Sequence, residues 1–484
     1  MISRKRRERS IATLALALTL SACAFAPRGE PPAIKTTSTY AAEAPPDATG
    51  EAAGVAQHLA SGAPMIPDWW RLYGSDTLDA WVDEGLRNNA SLSAVQHTWE
   101  AAHAQFRAEV GEALLPSIDA GGQVSRQRAL GFPGFGPPTN LYDVFAGELT
   151  LSYTFDLFGA ARYAVREAAA QVDQQTWQLQ GARRALAANI VIAAINAAAL
   201  NDSLSIDERL ASLLHEQADL TEKSYRTGAA SNDDVLTAQQ SAAALDVSMA
   251  SLRAQSLRAR HALAVLMGRT PDRAPVALSL AQLQLPAELP VSLPSDLLRQ
   301  RPDILAAKSV VHAAAAQVGV ATAELFPRIS LSAAIGSESF HSATLFTPQS
   351  KVWSAGATLT QPLFHGRALI EQRKGAVAQY QASIAQYQQT VLNAFQNVAD
   401  TLTALDQDAR SLRSAQQAAA AAQQSFTDTR SRYLLGAVSY PATVASEQRW
   451  QNAALSEIQQ RSARLVDTAG LFQAMGTAPD RSGN

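Results

Sequence analysis

The chain has very little of what enzymes and metal-binding proteins commonly use. Cys23 is its only cysteine, so no intrachain disulfide can form. The 8 histidines are scattered, and no glycine loop followed by lysine is present to hold a phosphate. We therefore expect no catalytic residues, no metal site and no cofactor other than a covalent lipid, and we expect no use of ATP by this chain.

Long hydrophobic runs are also missing. Outside the amino terminus, no uncharged apolar stretch approaches the roughly 18 residues of a membrane-spanning helix, although 47% of the residues are hydrophobic. The sequence therefore gives no support to an ordinary helical membrane protein. If the chain crosses a membrane, we expect it to do so as a β-barrel.

The amino terminus has the pattern of a targeting segment. Five basic residues lie between Arg4 and Arg9, and a short apolar stretch from Ile11 to Leu20 follows them. The sequence Leu20-Ser21-Ala22-Cys23 resembles the lipobox of bacterial lipoproteins, which implies removal of residues 1–22 and lipidation of Cys23. Ala24 then implies sorting to the outer membrane. An ordinary secretory signal peptide with a chance cysteine is the alternative.

The segment 23–63 is rich in alanine, proline, glycine and threonine and has no periodicity. This composition predicts an extended tether between the lipid and the fold. Removal of the targeting segment takes away five basic residues and one acid, so the formal net charge of −3 becomes −7. A mature chain of this charge is not expected to bind nucleic acid.

Four segments alternate between apolar and polar residues, which is typical of strands with two different faces. In the clearest, at about 143–156, Phe145 and Phe155 lie on one face and Glu148 on the other. The others are at about 117–128, 328–338 and 351–363. A soluble sandwich would cover the apolar face with a second sheet, whereas an outer-membrane barrel turns it toward lipid. We favour the barrel, because the four strands lie in two distant hairpins.

The sequence also repeats itself. Leu115-Pro116-Ser117-Ile118 matches Phe326-Pro327-Arg328-Ile329 at an offset of 211 residues, and Tyr225–Ser231 and Tyr433–Ser439 share the pattern Tyr-x-x-Gly-x-x-Ser at an offset of 208. These landmarks predict an internal two-fold repeat. The predicted division is a first repeat at 64–275, a proline-rich surface connector at 276–294, a second repeat at 295–477 and a tail at 478–484.

Each repeat contains a helix of unusual length. From Ala160 to about Glu222 there is no proline and one glycine, so about 60 residues form a rod of roughly 90 Å. Apolar residues recur every seven positions in both repeats, which predicts left-handed coiled-coil packing. The recurring residues are Val172, Leu179 and Leu186 in the first rod and Val391, Val398 and Leu405 in the second.

The two Tyr-x-x-Gly-x-x-Ser segments predict the points where the long helices turn back, and we name Tyr225–Ser231 tip 1 and Tyr433–Ser439 tip 2. Gly228 and Gly436 suit the left-handed conformation that ends a helix. Ser231 and Ser439 are candidate caps of the returning helices.

Four strands are too few to close a membrane barrel, since the smallest closed barrels have about 8. An open edge in lipid would leave backbone groups without hydrogen-bond partners. The chain is therefore expected to oligomerise through its strands. A dimer would supply eight strands and a trimer twelve, and the strand pattern by itself does not decide between them.

Five motifs spread over the chain carry a family resemblance. They are Pro67-Asp68-Trp69-Trp70, Leu297-Leu298-Arg299-Gln300-Arg301-Pro302-Asp303-Ile304, Phe326-Pro327-Arg328-Ile329-Ser330-Leu331, Thr360-Gln361-Pro362-Leu363-Phe364 and the paired tips. Together they resemble the TolC-like outer-membrane factors, in the lipoprotein branch of the NodT type, from about Pro67 to Gly476. The resemblance implies an α+β membrane protein: a homotrimer with a twelve-stranded β-barrel, four strands per chain, continued by a long α-helical coiled-coil barrel in the periplasm.

The resemblance also implies a function. It predicts an outer-membrane channel-tunnel of a tripartite efflux system in a Gram-negative bacterium, which passively conducts drugs or other small toxic compounds. The implied partners are outer-membrane lipid, a periplasmic adaptor and a proton-driven inner-membrane transporter. An exit duct for type I protein secretion and a non-conducting structural lipoprotein are the alternatives, and the sequence does not name the cargo.

Site residues follow from the resemblance at the tips. In the family the helix tips contact the adaptor and close the periplasmic entrance, which gives provisional roles to Tyr225, Arg226, Gly228, Ser231, Tyr433, Gly436 and Ser439. Family members often carry acids after the second tip that form a cation-binding constriction, but this chain has none there before Glu447. Asp233 and Asp234, after tip 1, remain candidates for such a ring. The alternative is that they only cap a helix.

Overall fold

The computed structural model describes residues 26–34, 39–41, 46–130 and 139–476. Within them the chain forms eight α-helices and six β-strands. It divides into two compact units. The sheet unit consists of the described residues within Met1–Ala33, Thr98–Thr176 and Ala306–Gln388, and the hairpin unit of those within Ile34–His97, Trp177–Leu305 and Gln389–Asn484.

The sheet unit contains one antiparallel sheet of four strands in the order β2-β3-β5-β6. The strands are β2 (Ser117–Leu130), β3 (Thr139–Phe155), β5 (Arg328–Ser339) and β6 (Lys351–Thr360). They correspond to the four predicted segments with shifts of a few residues at the ends. Pro116 and Pro327 precede β2 and β5 directly, because a proline disfavours helix in the residue before it and so ends the preceding helix.

The register aligns the apolar residues of all four strands on one face. Leu151 pairs with Ile118 on one side and with Ala333 on the other, and Ile335 pairs with Trp353. These side chains are exposed, with Ile118 at 70%, Ile335 at 65% and Trp353 at 78%. The opposite face carries small, hydroxylated and acidic residues. The predicted alternation is therefore present across the whole sheet.

Four helices come from the first repeat and four from the second. They are α1 (Asp76–Asn88), α2 (Ala90–Leu114), α3 (Ala160–Arg226), α4 (Asn232–Leu266), α5 (Pro294–Gln300), α6 (Pro302–Ala323), α7 (Ala368–Leu434) and α8 (Tyr440–Met475). The long helices α3 and α7 each have 67 residues. They begin and end 208 residues apart, which is the spacing of the sequence repeat.

The seven-residue apolar stripes are the packing surfaces of the long helices. In the hairpin unit, Leu186 and Ile190 of α3 are buried at 7% and 0% exposure, and Val391, Val398 and Leu405 of α7 are at 5% or less. The returning helix α4 is tied to α3 by a polar contact between His215 and Asp246 at 3.1 Å and by an exposed ion pair, Arg253–Glu208, at 3.0 Å. Apolar packing is the main source of stability here, because exposed ion pairs contribute little.

The prediction of an extended tether at 23–63 is wrong for the carboxy-terminal part of that segment. Residues His58–Ser61 form strand β1, which pairs in parallel with β4 (Glu288–Val291). The chain before β1 wraps around Arg464 of α8, which is only 1% exposed. Its guanidinium group donates hydrogen bonds of 3.0–3.1 Å to four oxygens, those of the Gln57 and Thr49 side chains and the Ala52 and Val55 carbonyls.

The earlier part of the predicted tether also contacts the fold. In the sheet unit, Glu30 pairs with Lys308 of α6 at 3.1 Å, and this lysine lowers the pKa of the Glu30 carboxyl by hydrogen bonding and charge. Residues 35–38 and 42–45 lie outside the described residues, as do the predicted targeting segment, Cys23 and the tail at 478–484.

The predicted connector at 276–294 does not simply run over the surface of the protein. Besides forming β4, it buries Leu280, Leu283 and Leu289, all at 3% exposure or less. Its short strand completes the two-stranded sheet with β1. A segment with three prolines was expected to run over the surface, but these three leucines are buried.

In the part of the chain that the structure describes, two helices are long and apolar enough to cross a membrane by length and composition alone. They are Ala160–Arg226 and Pro302–Ala323. In each, half of the most apolar stretch is buried inside the protein, as expected for helices that pack against other helices. On the sheet, by contrast, a row of large apolar side chains is exposed on one face, including Ile118, Ile335 and Trp353.

Candidate functional site

Tip 1 joins α3 to α4 through a left-handed glycine. Gly228 has φ of +76°, and its N–H donates to the Tyr225 carbonyl at 2.9 Å. The Ala229 N–H reaches back to the Ser224 carbonyl at 2.8 Å and so satisfies the end of the helix. Tyr225 and Arg226 are exposed, and Arg226 pairs with Glu222 one turn earlier on α3. Both predicted tip side chains are thus available to a partner.

The predicted cap at tip 1 is confirmed. Ser231 Oγ accepts a hydrogen bond from the Asp234 N–H at 3.1 Å, and the Asp234 carboxylate accepts one from the Ser231 N–H at 2.9 Å. This reciprocal arrangement is a capping box. The hydrogen bonds from Ser231 lower the pKa of Asp234.

The two candidate acids of the constriction therefore differ. Asp234 is committed to the cap of α4, which is the alternative that the sequence left open. Asp233 is exposed in the first turn of α4, where a negative charge interacts favourably with the helix dipole. The structure brings no third acid next to them among the described residues, since no group of three potential metal ligands occurs there.

Tip 2 has the same backbone turn but a different cap. Gly436 has φ of +74°, and its N–H donates to the Tyr433 carbonyl at 2.8 Å. Ser439 occupies the cap position of α8, but its side chain makes no capping hydrogen bond, so that prediction is wrong. The reason is local: the Ala442 N–H, which is equivalent to the Asp234 N–H of tip 1, donates to the Ser439 carbonyl at 3.2 Å instead of to the side chain.

A pocket of about 610 Å³ lies beside tip 2, between α3, α7 and α8. Phe426 and Trp450 stack along one side, with ring centroids 5.4 Å apart, and Tyr433 lies 5.6 Å from Tyr440 across the turn. Two buried oxygens in the wall, Thr443 Oγ1 and Gln451 Oε1, have no hydrogen-bond partner among the described residues. We call this cavity the tip pocket.

The tip pocket also contains charges of both signs. Burial raises the pKa of the Glu447 carboxyl, which the amide of Gln451 and the guanidinium groups of Arg430 and Arg209 oppose. Burial raises the pKa of Tyr440 as well, and the neighbouring Glu216 carboxylate raises it further. An amphipathic cavity with unsatisfied polar atoms suits a polar and aromatic side chain of a partner better than a purely apolar one.

Sequence reasoning identified the tips but missed the tip pocket. A signal was available, because Phe426 and Trp450 lie at similar distances on either side of the turn of tip 2. Antiparallel helices bring such residues together. The charged members gave no comparable signal, since isolated arginines and glutamates on long helices usually face solvent.

Substituting the serine at each of the two cap positions, Ser231 and Ser439, is expected to give different results. Ser231→Ala is expected to cost about 1 kcal/mol in the first turn of α4, whereas Ser439→Ala is expected to cost almost nothing, because its side chain caps nothing. Hydrogen exchange of residues 232–236 and 440–444 measures the two effects. Equal losses of protection at both tips would contradict the assigned caps.

Comparison with known proteins gives a consistent result over the whole fold. The family model described as outer membrane efflux protein matches residues 81–269 and 293–477, well over half of the chain and close to the two repeats. The chain is 28% identical to the pyoverdine export outer membrane protein OpmQ of Pseudomonas aeruginosa, with 87% of this chain and 90% of that protein covered. It is 27% identical to nodulation protein T of Rhizobium leguminosarum bv. viciae, with 97% and 95% covered.

Solved structures show the same fold. A crystal structure of a membrane protein from Pseudomonas aeruginosa is similar with a TM-score of 0.81 and 26% identity, and it covers 94% of this chain and 100% of its own. The open state of the Neisseria gonorrhoeae MtrE outer membrane channel is similar with a TM-score of 0.74 and 25% identity, covering 94% and 99%.

Proposed function

The chain belongs to the outer membrane efflux protein family, and from this we propose that three copies close into one conduit that carries small toxic compounds through the outer membrane. As a member of this family the chain acts in efflux at the outer membrane of a Gram-negative bacterium. Beyond this family role, we propose how many chains form the conduit, which partner proteins it binds and by which path the compounds pass.

The two edge strands of the sheet are the main support for assembly of several copies. β2 and β6 stand at the two ends of the strand order, and no further strand pairs with either of them within the described ranges. The apolar face of all four strands is exposed, as it would be toward lipid. Unpaired backbone groups are costly in lipid, so β6 of one copy must pair with β2 of the next. Three copies give twelve strands, the number that the family resemblance implies.

The polar face of the sheet then becomes the wall of the conduit. Glu148 lies on this face, and its neighbour Gly336 leaves space for it, since a Cβ at Gly336 would lie 2.8 Å from the Glu148 Cα. Asp119 and Glu338 lie on the same face. Asp156 does not contribute to the wall, because its carboxylate accepts hydrogen bonds from the Ala161 and Arg162 N–H groups at the start of α3.

The tips are the proposed contact with the adaptor and the gate of the periplasmic entrance. Tyr225 and Tyr433 are 46% and 38% exposed and lie beside the left-handed glycines. The tip pocket has unsatisfied polar atoms next to stacked rings. Asp233 remains the free candidate for an acidic constriction, because Asp234 is held by its cap.

Energy and selection are proposed to come from the partners. The inner-membrane transporter, driven by protons, loads the conduit through the adaptor, and a lipid on Cys23 holds each chain to the outer membrane. The chain itself performs no catalytic step in this scheme. OpmQ is named for pyoverdine export, so pyoverdine is added to the panel of compounds in the test below.

Accumulation of a panel of cationic dyes and amphiphilic antibiotics tests the function. Cells with and without the gene are compared, with the proton gradient intact and then collapsed. We expect several unrelated compounds to accumulate on deletion only while the gradient is intact, and a plasmid copy to reverse the effect. No change for any compound, with the protein present in the outer membrane, would contradict efflux of drugs and favour protein export or a structural role.

A further inference from the structure

Three basic residues lie on the lipid-facing side of the sheet, at the ends of the strands that carry the loops. Arg126 and Arg128 continue the outward series of β2 beyond Val124, and Lys351 begins the outward series of β6 above Trp353. The Arg126 side chain is 70% exposed, and Arg128 and Lys351 are also exposed. We name these three residues the basic rim.

The basic rim lies just beyond the apolar band. On β3 the outward face runs from Phe155 to Phe145, which is about 34 Å along the strand. At the usual tilt of about 40° this gives a height of about 26 Å, close to the roughly 25 Å of an outer-membrane apolar band. Arg126 pairs with Asp143, the next outward residue after Phe145. The rim is therefore at the level of lipid head groups.

The loop ends of the strands face the outer leaflet. The helices connect at the other ends, next to Ser117, Phe155, Arg328 and Thr360, and in the proposed function these helices extend into the periplasm. Closure of the barrel brings β6 of one copy beside β2 of the next. Lys351 then lies on the same side of the barrel wall as the two arginines of its neighbour. This step rests on the proposed function.

The rim has an excess of positive charge. Arg126 has one carboxylate near it, that of Asp143 at 3.7 Å with 45% side-chain exposure. Among the described residues, Arg128 and Lys351 have no carboxylate partner. Each chain thus offers three positive groups against one negative group, on a surface where charged side chains are unfavourable unless they meet counter-charges at the head groups.

We propose that the basic rim binds the phosphate groups of the lipopolysaccharide that forms the outer leaflet. Arginine suits this ligand because its planar fork donates two parallel hydrogen bonds to phosphate oxygens, and lysine adds a compact charge. The acyl chains of the same molecule lie against the exposed apolar residues below, such as Val124 and Trp353. The rim thereby fixes the height of the barrel in the membrane.

Retention of lipid A by the purified oligomer tests the proposal. Bisphosphorylated lipid A and its fully dephosphorylated form are titrated onto the detergent-solubilised protein, and bound lipids are counted by native mass spectrometry. We expect the bisphosphorylated form to bind at least 10-fold more tightly. The triple variant Arg126→Gln, Arg128→Gln, Lys351→Gln is expected to lose this preference, and Asp143→Asn is expected to strengthen binding by releasing Arg126.

Arg328→Gln is the matched control, because Arg328 lies on the opposite face of the sheet at the helix end. It is expected to bind both lipids as the unchanged protein does. Equal binding of the two lipids by the unchanged protein, or an unaltered preference in the triple variant, would overturn the proposal. Lipid binding is measured on folded oligomers, so a negative result there would overturn the lipid proposal and leave the efflux function intact. A negative result for the efflux function would appear in the accumulation assay instead.

Discussion

Replacing Ile335 with arginine is expected to prevent the chain from assembling in the outer membrane. Ile335 is 65% exposed on the apolar face of β5, near the middle of the apolar band. An arginine facing lipid at the membrane midplane costs about 2–4 kcal/mol per chain. Three copies in one barrel multiply this cost, so we expect almost no heat-resistant oligomer in outer-membrane fractions.

Ala334→Arg is the control for this prediction. Ala334 is the adjacent residue of the same strand and lies on the polar face, paired with Thr150 and Ser354. An arginine there would project into the water-filled conduit, so the oligomer is expected to form in normal amounts. Semi-native gels of membrane fractions measure both variants. Assembly of Ile335→Arg, or loss of Ala334→Arg instead, would mean that the faces are assigned the wrong way round.

Replacing Arg464 with methionine is expected to release the segment before β1 from the hairpin unit. Arg464 holds four oxygens of residues 49–57 from a site that excludes water. Its loss leaves buried acceptors unpaired, each costing roughly 1–3 kcal/mol. We expect local stability to fall by about 3 kcal/mol, which corresponds to an increase of roughly 100-fold in hydrogen exchange of the Thr49, Gln57 and Leu59 amides.

Arg449→Met is the matched control on the same helix. Arg449 is exposed, and among the residues that the structure describes its guanidinium group donates only to the Ala445 carbonyl of its own helix at 3.3 Å. Exchange in residues 49–59 is expected to be unchanged in this variant. Protection that survives in Arg464→Met would show that β1 pairing with β4, rather than the buried arginine, holds the segment in place.

The alternation of residues and the seven-residue stripes predicted most of the fold. Phe145 to Phe155 predicted a strand with one lipid-facing side, because a period of two assigns faces without knowledge of the neighbours. The repeat predicted that α7 would match α3, and the two helices have the same length. These features depend on local patterns that one sequence contains in full.

The parts that were missed depend on long-range contacts. β1 has four residues without alternation, and His58 pairs with Glu288, 230 positions away. Its composition is that of a linker, and its order comes from pairing with β4 and from the contacts of the buried Arg464 of α8 with the preceding residues. A buried arginine has no signature in the sequence, since arginines usually lie at the surface.

At the tips, the sequence predicted the backbone but not every side chain. Gly228 and Gly436 took the predicted left-handed conformation, because the turn requires it. Ser231 and Ser439 occupy equivalent positions, yet only Ser231 caps its helix. The difference lies at the third residue of the returning helix: the Asp234 N–H donates to the Ser231 side chain, whereas the equivalent Ala442 N–H donates to the Ser439 carbonyl.

The number of chains in the purified complex tests the central claim, that the open sheet of one chain closes with the sheets of two others. Native mass spectrometry of the detergent-solubilised protein gives this number directly. We expect a complex of three chains, which supplies twelve strands. A stable folded monomer or a complex of two chains would contradict this account, because the barrel would then have four or eight strands.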